Sequence, residues 1–536
     1  MLVAGLTSGA VALCVLIPFL RFGIPSGHDF EFHLNSWIEV VDHWKQGVLY
    51  PHWSALAHWG YGEARFVFYP PISWTLGAVL GLLLPWKLVP AAYIWLALTL
   101  SGISMFLLAR EWLPARDAIF TAAVYAANPY YFVIVYWRSA MAELLAAAGL
   151  PLLVLLVMRF ERSGARVIAP LSILLAAGWL TNIPAALMMN YSLALLLCCL
   201  FFLKRSYSLL AYGAASVVIG AALAGFYLAP VVHQQSWINL SQVLAPGVSP
   251  RESFLFTSTS DPDHDRFNRL VSVIATWQIA ILAAGLYTSR RFRKQTSWIL
   301  LCAWATACAL LMFHFTLPLW NYFPELRYVQ FPWRWLLCLN VPFAVLIAFA
   351  FQRQWRRILV CGMALASVVL VWRYIQQPWW DQAGDIQEMV ENQHEGIGNE
   401  GADEYVPANI DPYDADQNAP RARFDGRGQA TIDTPKWDAE SRTIVAEATA
   451  PGQLVLRLFN YPAWKVQVNG ATVHASTSDI AGRMMIPIPA GDSKVEIEFT
   501  EGWDRWVGVG ISLIALLLCI AVHNRKTLPQ HNISVA

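Results

Sequence analysis

Apolar segments of nearly constant length recur along this chain, and they limit the folds that it can adopt. A helix that spans a bilayer needs about 20 predominantly apolar residues. Twelve segments approach that length: 2–20, 90–109, 117–134, 139–158, 167–182, 184–203, 208–229, 269–288, 297–316, 333–351, 358–375 and 504–523. Only 14% of the residues are charged, against roughly 25% in soluble domains. The sequence predicts a polytopic α-helical membrane protein with about twelve transmembrane helices.

Basic residues between these segments predict the orientation of the helices. Lys and Arg are enriched in short cytoplasmic loops. Six basic clusters lie at segment ends: Arg110/Arg116, Arg159/Arg162/Arg166, Lys204/Arg205, Arg290/Arg291/Arg293/Lys294, Arg353/Arg356/Arg357 and Arg525/Lys526. Twelve helices with a cytoplasmic N-terminus place all six clusters inside the cell. Both termini are therefore expected in the cytoplasm.

A soluble region is inserted before the last helix. Residues 376–502 contain 21 acidic and 9 basic residues. The rest of the chain is basic, which suits cytoplasmic loops and does not suggest nucleic-acid binding. An acidic loop comes first, and then apolar residues recur with a period of two, with a hairpin signal at Asn469-Gly470. The predicted domains are a membrane domain (1–375), an extracytoplasmic acidic loop with a β-sandwich (376–502), and a last helix with a cytoplasmic tail (503–536).

The most polar part of the first 230 residues is the stretch 26–71, within the predicted outside loop 21–89. The apolar run from Ile72 to Pro85 follows it and is too short to span a bilayer. It is better interpreted as an interfacial or re-entrant helix below the loop. This loop is the place where water and a lipid head group could both reach ionisable side chains.

Candidate catalytic residues lie at the start of this stretch. Ser26 and Asp29 have the spacing of a helix N-cap and its reciprocal acid, and Asp29 and His33 are then four residues apart on one helix. A partly desolvated Asp29 beside His33 could accept a proton from a sugar hydroxyl. In an extended turn Asp29 and Glu31 share a face, and with a histidine they could hold a divalent cation such as Mg or Mn. The alternative is that Asp29 only caps the helix.

Further charged and polar residues fall at the predicted outer ends of helices. Arginine binds a lipid phosphate through paired donors, although a rim charge can also simply be paired or reach water. Glu63 and Arg65 could form a second cavity wall or a surface ion pair. The candidate substrate-binding residues are His28, Glu63, Arg65, Tyr69, Arg138, Glu143, Arg327, Gln330 and Arg334. Folding back of the loop is expected to bring Asp29 near Glu63 or Arg65, and Arg138 and Arg334 are expected in the same cavity, open sideways to lipid.

Several motifs together resemble the GT-C class of membrane glycosyltransferases. They are GHDFEFH after the first helix, the Pro-Pro element YPPISWTLGAVLGLL, and WRSAMAE after the third helix. GYGEARFVFYPP and RYVQFPWRWL resemble, more closely, a bacterial family described as 6-pyruvoyl-tetrahydropterin synthase-related membrane proteins. The resemblance covers roughly residues 1–350. It implies that Asp29 is the acidic residue that serves as general base or metal ligand, although this sequence has Asp-Phe-Glu where two aspartates would be expected.

Two functions follow as hypotheses. The resemblance implies an inverting glycosyltransferase in the bacterial inner membrane, with a polyprenyl-phosphate-linked sugar as donor and a glycan, lipid or protein as acceptor. The alternative is a non-catalytic transporter or assembly factor for envelope polysaccharide. Transporters usually place ionisable residues at the bilayer midplane, whereas these residues cluster at predicted helix ends, which favours an enzyme.

Overall fold

The computed structural model describes residues 1–374, 380–478 and 481–524. The predicted basic cluster Arg525/Lys526 and the rest of the predicted cytoplasmic tail lie outside these residues. The helices, in chain order, are α1 Leu2–Leu16, α2 Phe19–Phe22, α3 Phe30–Lys45, α4 Ala57–Gly60, α5 Arg65–Phe68, α6 Pro71–Leu83, α7 Val89–Ala109, α8 Ala115–Ala126, α9 Pro129–Val133, α10 Met141–Ala146, α11 Gly149–Ser163, α12 Ile168–Thr181, α13 Ile183–Lys204, α14 Tyr207–Leu223, α15 Gly225–Gln234, α16 Pro262–Thr288, α17 Thr296–Leu311, α18 Leu317–Tyr322, α19 Leu336–Ala350, α20 Gln354–Tyr374, α21 Ala383–His394 and α22 Trp503–Asn524.

The helical part has the composition of a polytopic membrane domain. Among the described residues, eight helical stretches are long and apolar enough to cross a membrane: Leu2–Phe22, Trp86–Ala109, Ala115–Arg138, Met141–Thr181, Ile183–Lys204, Pro262–Thr288, Pro332–Ala350 and Trp503–His523. Two bent pairs raise the number to ten if each forms one span. They are Tyr207–Leu223 with Gly225–Trp237, bent by 76°, and Thr296–Leu311 with His314–Tyr322, bent by 95°.

The predicted number of twelve transmembrane helices is not confirmed. The predicted segments 139–158 and 167–182 fall within the single helical stretch Met141–Thr181. Segment 358–375 falls largely in α20, which is not counted among the apolar spans of the described chain, and residue 375 lies outside the described residues. These two differences separate the count of ten from the predicted twelve.

The short apolar helix after the first loop is present as α6. It begins at Pro71, where a missing backbone N–H costs nothing because the first helical N–H groups have no partner in the helix. It packs against α3 at Gly77, where a Cβ atom would stand only 2.2 Å from the indole of Trp37. Trp37 in turn stacks on Tyr93 of α7, with ring centroids 5.0 Å apart. The interfacial position predicted for this helix stays a prediction.

Eleven short strands lie in the described residues. They are β1 Ile24–Pro25, β2 Trp380–Asp381, β3 Ala422–Gly426, β4 Ala430–Trp437, β5 Ser441–Ala448, β6 Gly452–Phe459, β7 Trp464–Val468, β8 Ala471–Val473, β9 Ser476–Ser478, β10 Arg483–Ile488 and β11 Gly491–Phe499. Strands β3 to β11 form a four-stranded sheet in the order β3-β6-β10-β9 and a five-stranded sheet in the order β4-β5-β11-β7-β8, and neighbouring strands in both sheets are antiparallel. We call residues 422–499 the β region.

The predicted hairpin at Asn469-Gly470 is confirmed. Val468 pairs with Ala471 across the turn. Asn469 and Gly470 have φ values of 51° and 82°, the left-handed conformation that a tight two-residue hairpin requires at both central positions. Buried residues of both sheets belong to one core, although the predicted sandwich stacking itself is not confirmed.

The β region also shares its core with the first loop. Trp53, Tyr61 and Phe68 of that loop belong to the same buried cluster as the strand residues. In addition, β1 at the end of the first helical stretch pairs with β2, so that Ile24 lies opposite Asp381. The loop and the inserted region therefore fold against each other.

Gly77 offers a test of the α3–α6 contact. We expect Gly77→Ala to destabilise the protein by about 1–3 kcal/mol, since the added methyl group must displace a tryptophan held by a stacked tyrosine. The measurement is the thermal melting temperature in detergent. The control is Gly384→Ala in α21, where the added methyl group meets no atom within 4 Å; equal effects of the two substitutions would contradict this packing.

Candidate active site

The start of α3 is held by the end of another helical segment. A π-helix over Ile134–Arg138 ends at Ser139, whose φ of 52° is left-handed. The Arg138 carbonyl accepts a hydrogen bond from the Asp29 amide at 2.9 Å, and the Ser139 hydroxyl accepts one from the Gly27 amide at 3.0 Å. A Cβ atom on Gly27 would lie 2.3 Å from the Trp137 carbonyl oxygen, so only glycine permits this approach.

This contact corrects the predicted N-cap. The helix begins at Phe30 with Asp29, and not Ser26, as its N-cap residue, and the Asp29 side chain makes no capping hydrogen bond. The backbone of residues 27–29 is already bound to the π-helix, which delays the start of α3 by three residues. The Asp29 carboxylate therefore remains available to the cavity.

A cavity of about 1620 Å³ lies at this point, between the helical part and the chain that precedes the β region. Nine of the residues predicted as catalytic or substrate-binding line it: His28, Asp29, His33, Tyr69, Arg138, Glu143, Arg327, Gln330 and Arg334. The structure thus brings together residues that are up to about 300 positions apart in the sequence. Their chemical roles remain predictions.

One buried carboxylate organises the cationic side of the cavity. Glu143 Oε2 lies 2.5 Å from Arg138 Nη1 and 3.1 Å from Arg334 Nε. Its other oxygen, Oε1, accepts a hydrogen bond of 2.6 Å from the Tyr130 hydroxyl. All three charged side chains are at least nine-tenths buried. Two guanidinium groups share one carboxylate, so this cluster carries one positive charge in excess.

Arg334 is fixed by further contacts from its own segment. Its Nη1 donates to the Val329 carbonyl at 2.9 Å and to Gln330 Oε1 at 2.8 Å. The other side-chain atom of Gln330, Nε2, donates to the Val243 carbonyl at 2.8 Å. The Phe331 ring lies 4.7 Å from the guanidinium carbon of Arg334. These contacts hold the cation in one place, which a binding site for an anion requires.

Asp29 faces this cationic cluster across a short gap. Its Oδ2 lies 3.8 Å from Arg138 Nη2, and 43% of its side chain is exposed. A carboxylate that is close to a cation but still open to the cavity can accept a proton from an incoming hydroxyl group. Arg327 also lines the cavity, but it is exposed; its guanidinium lies over the Tyr328 ring and donates to the Tyr328 hydroxyl at 3.5 Å.

Aromatic rings surround the remaining predicted catalytic residue, His33. Its imidazole packs against Phe32, Trp37 and Tyr69, with centroids within 6 Å. Burial lowers the pKa of His33 to about 4, although the nearby Asp29 favours the charged form. His33 is therefore neutral at physiological pH and contributes shape, not charge.

Three predicted residues do not line the cavity. Glu31 is exposed on the first turn of α3. Glu63 and Arg65 are fully buried below the wall, with Arg65 Nε 2.5 Å from Glu63 Oε1. Arg65 also donates to the Ser36 hydroxyl at 2.9 Å and lies over the Phe32 ring. The second-wall interpretation of this pair is wrong, because neither side chain lines the cavity.

The structure adds no third ligand to the cation site predicted at Asp29 and Glu31. Among the described residues, no group of three or more His, Cys, Asp or Glu side chains is arranged to hold a metal ion. Asp29 lines the cavity and Glu31 does not. The residues present therefore do not fit a metal ion held by these two carboxylates. Metal dependence stays an untested prediction.

Sequence reasoning missed one wall of the cavity. Residues 400–405, which we call the strap, lie between α21 and the β region and line the cavity. Burial raises the pKa of Glu404 in the strap to about 7, with a further contribution from Glu63. The strap has no periodicity and no motif, and its acidic composition was the only available signal. Tyr130 was also missed, since one tyrosine among many gives no indication of its partner.

Comparison with known proteins places the chain in a family. The model of the 6-pyruvoyl-tetrahydropterin synthase related domain, described as a membrane protein, matches residues 66–378. The chain belongs to this family of membrane proteins. No curated protein sequence matches it.

Three solved structures are similar to the chain. The oligosaccharyltransferase of Archaeoglobus fulgidus has 14% identity over 75% of this chain, with a TM-score of 0.40. This chain spans 56% of that protein's length. The arabinofuranosyltransferase AftD from Mycobacteria has 16% identity, covering 69% of this chain and 26% of that one, with a TM-score of 0.46. ArnT from Cupriavidus metallidurans, bound to undecaprenyl phosphate, has 15% identity, covering 73% and 76%, with a TM-score of 0.45.

Substitution of Glu143, the carboxylate shared by two arginines, should lower the stability of the folded protein. We expect Glu143→Gln to destabilise the protein by about 3–5 kcal/mol, because two buried guanidinium groups lose their counter-charge. Thermal melting in detergent measures this. A matched control is Glu111→Gln, which also removes a carboxylate shared by two arginines, but Arg159 and Arg162 are both exposed. The control should cost less than about 1 kcal/mol, and a similar cost at both sites would refute the argument from burial.

The neutral state of His33 predicts a pH dependence of stability. The unfolded chain takes up a proton on this histidine near pH 6.5, whereas the folded protein takes it up only near pH 4. Stability from His33 is therefore complete above pH 6.5 and is lost as the pH falls towards 4. The melting temperature of wild type should fall faster between pH 6.5 and 5 than that of His33→Gln. His394→Gln, at a half-exposed histidine, should keep the wild-type profile.

Proposed function

We propose that this protein is an inverting glycosyltransferase of the GT-C type that uses a polyprenyl-phosphate-linked sugar donor. The observation that carries the proposal is the excess positive charge of the Arg138–Glu143–Arg334 cluster, set 3.8 Å from the partly exposed carboxylate of Asp29 in one cavity. An anion-binding group and a candidate base side by side are what transfer from a phosphate leaving group needs. The family membership supports the membrane location but does not identify the reaction.

The chemistry assigns one role to each side of the cavity. Asp29 accepts the proton of an acceptor hydroxyl group, and the oxygen then forms a bond to the anomeric carbon of the sugar. The bond between that carbon and the phosphate oxygen breaks, and the polyprenyl phosphate leaves with the bonding electron pair. Negative charge grows on the phosphate in the transition state, so the fixed guanidinium groups of Arg138 and Arg334 lower the barrier.

An apolar side of the cavity supports a lipid-linked donor. Trp179, Ile183, Leu187, Leu228 and Val232 line it at the ends of α12, α13 and α15, and Val232 is 64% exposed. Apolar side chains at this edge would let a polyprenyl chain remain in the bilayer while its phosphate reaches the arginines. We propose that this edge faces the outer leaflet of the bacterial inner membrane, with both termini in the cytoplasm.

The proposed pathway is modification of a cell-envelope glycan or glycolipid, with a glycan, lipid or protein as acceptor. The non-catalytic alternative, a transporter or assembly factor for envelope polysaccharide, predicts binding without transfer. Mass spectrometry can test the identity of the donor lipid, by a search for polyprenyl-phosphate species that copurify with the protein. Detection of such a lipid without any sugar transfer in reconstituted membranes would favour the alternative.

Asp29 provides the sharpest test of the enzyme. In reconstituted membranes, Asp29→Asn should reduce sugar transfer at least about 10²-fold, since the amide cannot act as the base, while expression and melting temperature stay unchanged. Asp42→Asn, further along α3 and paired with Lys45 on the surface, is the control and should retain activity. Full activity of Asp29→Asn would exclude Asp29 as the base.

A further inference from the structure

The strap is tied to loops on two sides of the cavity. Asn399, just before it, pairs with the first loop: its amide donates to the Leu56 carbonyl at 2.9 Å, and its carbonyl accepts from the Trp59 amide at 3.0 Å. At the other end, the Val406 carbonyl accepts from the Asn239 amide at 2.9 Å. The strap thus runs from the first loop to the segment after α15, and its residues line the cavity along the way.

Glu63 holds the middle of the strap. Its Oε2 accepts a hydrogen bond of 2.7 Å from the Ala402 amide and lies 2.9 Å from His58 Nε2, while Oε1 binds Arg65. Burial alone would raise the pKa of Glu63, but Arg65 and His58 lower it below its ordinary value. The carboxylate is therefore ionised and fixed from the loop side, and the strap amide is the partner that belongs to another part of the chain.

The strap fits this anchor closely. Gly401 has a φ of 80°, and a Cβ atom there would lie 2.7 Å from His58 Nε2 and 2.8 Å from Glu63 Oε2. On the loop side, His58 and Trp59 both have positive φ values, 49° and 55°. Backbone strain of this kind persists only where surrounding contacts impose it. Both partners are thus shaped for a close contact at this point.

We propose that Glu63 is a positioning residue that holds the strap over the cavity as a roof, which limits access of bulk water to the reacting donor. This inference rests on the proposed function. The arginine cluster and the apolar edge occupy the side from which a lipid phosphate would enter, and the strap lies between that cavity and the β region. The acceptor would then approach along the strap, and water would be kept from the anomeric carbon until the acceptor hydroxyl replaced it.

The reaction itself can report on such a roof. When water replaces the acceptor, its oxygen bonds to the anomeric carbon, its proton passes to Asp29, and the polyprenyl phosphate leaves. The products are a free sugar and the same lipid phosphate. A loosened roof should therefore raise the ratio of donor hydrolysis to transfer without weakening the site for the lipid phosphate.

Glu63→Gln tests the anchor in the intact protein. Hydrogen–deuterium exchange at the strap amides should become about tenfold faster, the factor expected when one charge-assisted hydrogen bond is weakened. Stabilisation of the protein by added undecaprenyl phosphate should not change. Glu440→Gln is the matched control: this carboxylate of the β region accepts hydrogen bonds from the His52 and Trp53 amides of the first loop, away from the strap, and the substitution should leave strap exchange within about twofold of wild type.

A pair of glycines provides a second test in case Glu63→Gln folds poorly. Gly401→Ala forces a methyl group against Glu63 and His58 and should also speed exchange at the strap. Gly396→Ala carries a similar backbone penalty, with a φ of 75°, but its methyl group meets no atom within 4 Å. Similar exchange in the two alanine variants would overturn the close fit.

The outcomes separate this inference from the function on which it rests. Unchanged strap exchange in both Glu63→Gln and Gly401→Ala rejects the roof, whatever the activity. Faster exchange with an unchanged ratio of hydrolysis to transfer also rejects it, because the strap would then move without affecting water. Failure of undecaprenyl phosphate to stabilise wild type rejects the proposed donor instead, and leaves the anchoring of the strap to be judged by exchange alone.

Discussion

The site depends on one carboxylate, Glu143, placed between two guanidinium groups inside the protein. Charges buried to this extent are tolerated only when each has a close partner. Glu143 supplies that partner to both Arg138 and Arg334, and Tyr130 supplies a hydrogen bond to its remaining oxygen. Arg138 and Glu143 are close in sequence, whereas Arg334 lies 191 positions from Glu143, so this cluster joins the π-helix and α10 to the segment before α19. The positive charge left over faces the Asp29 carboxylate at 3.8 Å, and the two fixed guanidinium groups are the part of the cavity suited to an anion.

The backbone of the π-helix also positions the charged side chains of the site. A π-helix ends at Arg138, and such insertions in helical segments are frequently found at functional sites. Here it turns the Arg138 side chain towards Glu143 and leaves the carbonyl of the same residue free to hold the amide of Asp29. One residue therefore positions both the cationic side of the cavity and the candidate base. Because the backbone of Arg138 holds the backbone of Asp29, the two side chains lie 3.8 Å apart without another side chain to position them.

Sequence patterns predicted the parts of this structure that obey a periodicity or a local rule. Long apolar runs indicated the helices, and Asn469-Gly470 indicated a hairpin because two successive left-handed residues are needed there. Charged residues at helix ends also indicated Arg138, Glu143 and Arg334 as neighbours. Other predictions failed where tertiary contacts decided the outcome. Ser26 does not cap α3, because the backbone after it is bound to the π-helix, and Glu63 and Arg65 pair below the cavity because the strap covers them.

The inserted region contributes to the cavity through the strap. Trp53 and Tyr61 of the first loop lie in the core of the β region, so the loop that carries Glu63 cannot fold fully without the strands. Glu63 then binds the strap, and the strap forms a wall of the cavity that also contains Asp29. Folding of the β region is in this way coupled to the shape of a site built mainly from membrane helices. A change in the β core, far from the arginines, should reach the cavity through the strap and through Phe68 and Ile238, which belong to that core and also line the cavity.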